Sequence, residues 1–373
     1  MSELRIIISG GGTGGHIFPA VSIANALKEL HPQADIRFVG AEGRMEMQRV
    51  PAAGYPIIGL PVRGLLRPLW KPANIRVLLD FLRSKRMIKK TLKDFKPHAA
   101  VGVGGYASAA TLNAAYELGI PCLIQEQNSF AGLTNKSLAK KARKICVAYE
   151  GMERFFPADK ILITGNPVRQ NLLCPKASRQ EAAASFGLDS HQPIVLIIGG
   201  SLGARTINQS ILTHLDEIAG SGIQFIWQTG SYYSKDIQAA LKEKGKPDNL
   251  YVTDFISQMD LAYLAADLVI SRAGASSISE LCLLGKPSIL VPSPNVSEDH
   301  QTHNAMALVK KNAALIVKDA EAEEKLVSLA IETVGNPDQL KSLGDNAYKM
   351  AYKDSARVIA EEVLKLCRTD KNE

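Results

Sequence analysis

The stretch from Asp267 to Asn304, DLVISRAGASSISELCLLGKPSILVPSPNVSEDHQTHN, concentrates residues able to do chemistry. Ala273-Gly274-Ala275-Ser276-Ser277 is a run of small residues opening a helix. Small residues let a ligand reach the free N–H groups of a helix N-terminus, where the macrodipole favours anions such as phosphate. Glu280 stands about one turn further in, where a carboxylate can accept hydrogen bonds from a ribose. It would equally serve as ordinary dipole compensation. Glu298-Asp299-His300-Gln301-Thr302-His303-Asn304 then gathers donors and acceptors of several kinds into a polar loop. That loop follows a parallel-type strand, which is where open α/β sheets bind ligands.

These residues need strands and helices to hold them. Leu268–Ser271 and Ser288–Pro292 read as short buried strands. Between them lies a helix with Ile278, Leu281, Cys282 and Leu284 inward, stopped by Gly285-Lys286-Pro287. The same organisation opens the chain: strand Leu4–Ser9 runs into Gly10-Gly11-Gly12-Thr13-Gly14-Gly15-His16 and a helix. Gly10, Gly12 and Gly15 satisfy a dinucleotide-type G-x-G-x-x-G, whose acidic partner would be Glu42. Ala99–Val103 ends in Gly104-Gly105-Tyr106-Ala107-Ser108, and Pro121–Gln125 leads to Glu126-Gln127-Asn128 and a helix containing Asn135. Gly165-Asn166-Pro167-Val168-Arg169 interrupts the pattern and marks a hinge. The second half repeats the opening: strand Ile194–Ile198, then Gly199-Gly200-Ser201-Leu202-Gly203-Ala204 and a helix. The expectation is an α/β chain of two doubly wound Rossmann-like domains facing each other across a cleft, residues 1–166 and 167–349. A charged helical tail, about 350–373, could pack back on the first.

The chain has 373 residues, 46% hydrophobic and 22% charged, an ordinary globular composition with ample core. Five scattered cysteines form no C-x-x-C pair, so neither a zinc site nor a disulfide framework is expected. Met1–Arg5 leads straight into a strand, leaving no room for a signal peptide, and no apolar run reaches transmembrane length. The net charge of +7 is local: Leu60–Ala100 holds eleven bases and two acids, so the remainder is slightly acidic. A single patch argues against nucleic-acid binding. Its apolar residues, from Leu65 to Phe95, interleave with the bases in a basic amphipathic helix suited to an anionic membrane surface.

GGGTGGH at Gly10–His16, GGYAS at Gly104–Ser108, EQN at Glu126–Asn128, GNPVR at Gly165–Arg169, GGSLGA at Gly199–Ala204, RAGASSISE at Arg272–Glu280 and DHQTHNA at Asp299–Ala305 occur in this order. Together they resemble the family 28 glycosyltransferases of peptidoglycan synthesis, which have the GT-B fold. These move GlcNAc from UDP-GlcNAc to lipid I, the undecaprenyl-pyrophosphoryl-MurNAc-pentapeptide. The resemblance, covering about residues 5–305, implies that the uracil meets the backbone at Ile256 and the ribose Glu280. It places the phosphates on Ser201 and on Ala275, Ser276, Ser277, Ile278 and Ser279, with Thr13, Gly14 and Gly15 opposite. Asn128 and Arg169 match further donor positions. Gln301 would hold the sugar hydroxyls together with His300, which stands where many members have a second glutamine. Tyr106, Glu126 and Asn135 match the acceptor side, and Leu65–Phe95 the membrane-docking face. The implied location is peripheral, on the cytoplasmic face of the plasma membrane. The implied reaction is inverting, with attack by the acceptor's C4 hydroxyl and departure of UDP. His16 is the candidate base. No D-x-D acids are present to hold a metal on the diphosphate, and helix N-termini can stabilise the leaving group, so metal-independent transfer without cofactor is expected.

Three other functions compete. A non-hydrolysing UDP-GlcNAc 2-epimerase shares the two-domain architecture but needs no membrane face. A dehydrogenase would use only Gly10–Gly15 and leave the second glycine turn idle. A non-enzymatic membrane-surface scaffold would explain Leu65–Phe95 and nothing else.

Overall fold

The computed structural model describes residues 4–12, 14–64, 70–168, 172 and 176–369. Thr13, Arg169, Cys174 and the Leu65–Leu69 part of the basic stretch lie outside the described residues. The chain divides into two compact units, Met1–Val168 with Tyr352–Glu373, and Arg169–Ala351.

The first unit contains strands β1 (Arg5–Ser9), β2 (Asp35–Ala41), β3 (Ile57–Leu60), β4 (Ala99–Gly102), β5 (Cys122–Glu126), β6 (Lys144–Val147) and β7 (Ile161–Ile163). They form one sheet in the order β3-β2-β1-β4-β5-β6-β7, every pair parallel. Ile6, Ile7 and Ile8 are all completely buried, as expected of a parallel strand covered on two faces. Ile6 and Ile8 share a core with Ile17, Ile23 and Leu27 of helix Gly14–Leu30 and with Ile359, Ala360 and Val363 of helix Ser355–Thr369. Ile7 faces the other core, with Ile88 and Leu92 of helix Ala73–Phe95 and Leu112 of helix Tyr106–Glu117. The last helix therefore belongs to the first unit although it ends the chain. Burying each Ile or Val there contributes ~1.5–3 kcal/mol.

The second unit contains β8 (Ile194–Ile198), β9 (Gln224–Gln228), β10 (Leu250–Thr253), β11 (Leu268–Ser271), β12 (Ser288–Leu290) and β13 (Leu315–Ile316). Their order is β10-β9-β8-β11-β12-β13, again all parallel. Val195, Ile197, Phe225, Trp227 and Ile270 join Ile207, Ile211 and Leu326 from the flanking helices in its core.

In each sheet the strand order reverses beside the first strand, between β1 and β4 and between β8 and β11. Such a switch point splays the following loops apart and leaves a crevice at the strands' C-terminal ends. Ser9 lies opposite Gly102 and Ile198 opposite Ser271, so each switch point is framed by two of the motifs with glycine turns.

Two local expectations need correction. Leu283 is buried, whereas Leu284, expected inward, is the partly exposed C-cap of helix Ala275–Leu283. Residues His300–Asn304 are not loop but the start of helix His300–Val309. Glu298 and Asp299, both at positive φ (60° and 49°), turn the chain sharply into that helix.

Candidate functional site

At the first unit's switch point the two glycine turns interlock. A Cβ on Gly10 would lie 2.0 Å from Val103 Cγ2, and one on Gly105 (φ 85°) 2.7 Å from Gly11 O, so larger residues are excluded where the turns touch. His16, in the first turn of helix Gly14–Leu30, sets its Nδ1 2.9 Å from Gly11 O. Its Nε2 edge faces Gly104, where a Cβ would come within 2.9 Å. Tyr106 opens helix Tyr106–Glu117 and is 47% exposed.

Glu42, the acidic partner that a dinucleotide fingerprint would need, is exposed. A different residue faces the turn. The Glu46 carboxylate, completely buried, accepts the Gly12 N–H (3.1–3.2 Å) and the Ala41 N–H (3.0 Å). Nothing local in the sequence pointed to Glu46; its only signal is an acid opening a short helix after β2.

Glu126 and Asn135 are also buried, at 1% and 2% exposure. Glu126 accepts four hydrogen bonds, from Asn128 N (3.0 Å), Asn128 Nδ2 (3.3 Å), Gly132 N (3.0 Å) and Asn135 Nδ2 (2.9 Å). A carboxylate so fully used shapes the loop after β5 and presents no oxygen of its own at the surface. Gln125 and Gln127 continue the network to Asn166 (Gln125 Nε2 to Asn166 Oδ1, 2.9 Å; Asn166 Nδ2 to Gln127 O, 2.9 Å), which fixes the EQN and GNPVR motifs together.

In the second unit the turn Gly199–Ala204 stacks on the turn after β9. A Cβ on Gly203 (φ 90°) would lie 2.1 Å from Thr229 O, and one on Gly230 (φ 82°) 2.0 Å from Gly203 N. Gln228 Nε2 donates to Gly200 O and Ser231 N to Ser201 O. This support, Gln228–Ser231, was not recognised in the sequence, although Thr-Gly-Ser after a buried strand is a turn signal. Ser201 itself is exposed.

Across the switch point, Gly274 caps helix Ala275–Leu283, so no capping side chain occupies its first N–H groups. Ser276 Oγ in this turn is buried without a hydrogen-bond partner, an unmet demand of the kind ligands satisfy. Glu280 is 6% exposed and accepts the hydroxyl of buried Tyr263 at 3.0 Å. Cys282, on the same helix, has its thiol pushed up to about 12 by burial and is inert at neutral pH. Ile256 is buried just beyond β10. Gln301 Oε1 accepts Ser293 N at 2.9 Å, which orients the amide and turns its NH2 group away as a donor. Asn304 Nδ2 reaches Ala273 O at 3.4 Å, tying the helix of His300 and Gln301 to the RAGA turn.

A clamp between motif residue Arg272 and Asp319, which lies outside the recognised motifs, holds these pieces. Asp319 pairs with Arg272 and accepts the Thr206 hydroxyl (2.9 Å) from the helix after the second glycine turn. Arg272 Nη1 also donates to Val291 O (3.1 Å) and Pro292 O (3.2 Å). The structure thus groups Ser201, the Ala275–Ser279 turn, Glu280 and Gln301 around one switch point and His16, Gly14, Gly15 and Tyr106 around the other. Among the described residues no group of three or more His, Cys, Asp or Glu is placed to hold a metal ion.

Residues 6–147 match the glycosyltransferase family 28 N-terminal domain and residues 194–362 the family 28 C-terminal domain. The chain belongs to glycosyltransferase family 28. A family 28 relative from Phocaeicola vulgatus, the UDP-N-acetylglucosamine--N-acetylmuramyl-(pentapeptide) pyrophosphoryl-undecaprenol N-acetylglucosamine transferase, is 66% identical. That similarity covers 98% of this chain and 96% of the relative. Among solved structures, Acinetobacter baumannii MurG is 28% identical with a TM-score of 0.77, covering 97% of this chain and 99% of that one. A UDP-GlcNAc 2-epimerase from Neisseria meningitidis, bound to UDP-GlcNAc, matches at TM-score 0.68 over 97% and 100% of the two chains. At 15% identity the likeness is one of fold alone.

Proposed function

We propose that this family 28 chain transfers GlcNAc from UDP-GlcNAc to the C4 hydroxyl of MurNAc in undecaprenyl-pyrophosphoryl-MurNAc-pentapeptide, with inversion at the anomeric carbon. The observation carrying this is 66% identity, over 98% of the chain, to a transferase of that name. In the second unit, Glu280 accepts the ribose hydroxyls and the first turn of helix Ala275–Leu283 receives the diphosphate. Gln301, its amide oriented by Ser293, donates to the sugar. The charge that develops on departing UDP is met by fixed N–H dipoles, which need no reorganisation during reaction. In the first unit, His16 takes the proton from the attacking hydroxyl. Its Nδ1 lies against a carbonyl, which can only accept, so Nδ1 carries the proton and Nε2 the lone pair. Glu126 and Asn135 act by shaping the loop of Asn128, and Tyr106 meets the acceptor. The transfer needs no metal and no cofactor, and EDTA leaves its rate unchanged.

The enzyme works at an anionic membrane surface as a peripheral protein on the cytoplasmic side. Among the described residues no helix is long and apolar enough to cross a membrane. Helix Ala73–Phe95 instead has two apolar faces. Val77, Ile88, Leu92 and Phe95 enter the core, while Ile75, Leu78, Leu79 (60% exposed) and Leu82 face outward beside exposed Arg76, Arg83, Arg86 and Lys90. Trp70, 84% exposed, precedes it. An uncovered apolar stripe flanked by bases supports insertion at the headgroup level of anionic lipid.

A test of the donor assignment compares melting temperatures with UDP, UDP-GlcNAc and NAD, since a ligand of the native state raises the melting point. UDP and UDP-GlcNAc stabilise and NAD does not; stabilisation by NAD alone overturns the assignment.

A further inference from the structure

One peptide unit in the first glycine turn connects two ionisable groups. Its carbonyl, Gly11 C=O, accepts His16 Nδ1–H at 2.9 Å. Its N–H, on Gly12, donates to the Glu46 carboxylate at 3.1–3.2 Å. The backbone is built to admit that carboxylate. A Cβ on Gly11 would lie 2.1 Å from Glu46 Oε1, and one on Gly40 2.6 Å from Glu46 Cγ. Glu46 is completely buried, and it also accepts the Ala41 N–H at the end of β2, so its position is set from two sides of the turn.

We propose that Glu46 is a positioning residue for His16, acting through the Gly11–Gly12 peptide; this rests on His16 being the base of the transfer. A carboxylate on the N–H side of an amide draws that dipole into line and increases the negative charge on its oxygen. The oxygen then holds Nδ1–H more firmly, keeps the proton on Nδ1 and leaves the lone pair on Nε2. When Nε2 takes the acceptor's hydroxyl proton, the new imidazolium is stabilised through the same peptide. A buried carboxylate bonded directly to Nδ1–H does this in the serine-protease triad; here a peptide plane stands between the two groups. Proton and charge balance is simple: Nε2 gains the hydroxyl proton, the oxygen forms the glycosidic bond, and UDP leaves with the bonding pair. Glu46 exchanges no proton in this step.

The arrangement also sorts the two glycine turns by task. The Gly12 N–H is committed to a carboxylate of the chain itself, so that donor cannot serve a diphosphate. The first turn therefore carries its own anion at Gly12, whereas Gly274 caps its helix with no side-chain hydrogen bond.

The test uses the full-length protein labelled with 15N-histidine, with His16 assigned by comparison with His16→Ala among the seven histidines. Nitrogen shifts and long-range couplings report the tautomer. The wild type shows His16 protonated on Nδ1; an Nε2–H tautomer overturns the proposal with no variant needed. Glu46→Gln offers one acceptor and an NH2 group to two N–H donors. It lowers kcat about tenfold or more, moves the His16 signals toward a tautomer mixture, and leaves KM for UDP-GlcNAc within about twofold. Glu46→Asp, which keeps the charge, recovers part of both effects, and it decides the matter if Glu46→Gln does not fold. Unchanged kcat and tautomer in Glu46→Gln, alongside a ~10²-fold loss in His16→Ala, overturns the role of Glu46 while the base stands. A His16→Ala kcat within threefold of wild type overturns the base, and the proposal with it.

Discussion

Replacing Glu280 by alanine separates ligand binding from folding at the donor half-site. The carboxylate is 6% exposed and accepts the hydroxyl of Tyr263 at 3.0 Å. A hydrogen bond to a charged group contributes ~1.5–3 kcal/mol. At 1.4 kcal/mol per tenfold, UDP should bind roughly 10- to 150-fold more weakly to Glu280→Ala. The same change deprives the buried Tyr263 hydroxyl of its carboxylate, at a further cost to stability of about 1–3 kcal/mol. In a unit of this size each kcal/mol lowers the melting temperature by about 2–4 °C. Tyr263→Phe is the control: it removes the hydroxyl, lowers stability by about 1 kcal/mol, and leaves UDP affinity nearly unchanged. Calorimetric titration with UDP and thermal melts of the three proteins decide the question. A UDP affinity in Glu280→Ala within twofold of wild type refutes the ribose assignment, whatever happens to the melting temperature.

Two further predictions concern charge. Lys85 and Lys89 both reach Glu117, holding its carboxyl down at about 2, so they are partly neutralised already. The outward bases are Arg76, Arg83, Arg86 and Lys90; replacing all four by glutamine should weaken binding to phosphatidylglycerol-containing vesicles roughly 10²- to 10³-fold at low salt, at ~1 kcal/mol per charge. Donor binding should not change, and equal vesicle co-sedimentation before and after would assign the stripe to something other than lipid. Lys286, donating to Ala266 O at 2.7 Å, is lowered to about 8 by burial, partly opposed by Asp267 and reinforced by Arg179. Its folded pKa lies below that of the unfolded chain, so between about pH 8 and 10.4 the unfolded state binds more protons and stability rises with pH. Urea denaturation at pH 7, 8.5 and 9.5 should show that rise in the wild type and a flatter profile in Lys286→Met; identical slopes would contradict the assignment.

What the sequence made legible follows from how local each signal is. Apolar runs ending in glycine turns located β1, β4, β8 and β11 within a residue or so, because buried parallel strands and close backbone contacts leave few residue choices. The dual nature of helix Ala73–Phe95 was visible as interleaved bases and apolar residues, though not which of those residues enter the core. Residues whose meaning depends on distant partners were hidden. Glu46 lies 34 positions from the Gly12 N–H it accepts, and Asp319 lies 47 from Arg272 and 113 from Thr206. His300–Asn304 read as loop because its polar start offers no apolar period, and two left-handed residues, Glu298 and Asp299, hide the helix entry. That Asn128, Gly132 and Asn135 all donate to the Glu126 carboxylate could be seen only in the folded loop.

Transfer of labelled GlcNAc from UDP-GlcNAc to a short-chain lipid I analogue, with EDTA present, tests the central claim most directly. The account predicts a β-1,4-linked disaccharide lipid and one UDP released per transfer, at the same rate with and without the chelator. No disaccharide product, with UDP-ManNAc, or ManNAc and UDP, accumulating instead, would contradict it and assign the chain to epimerase chemistry.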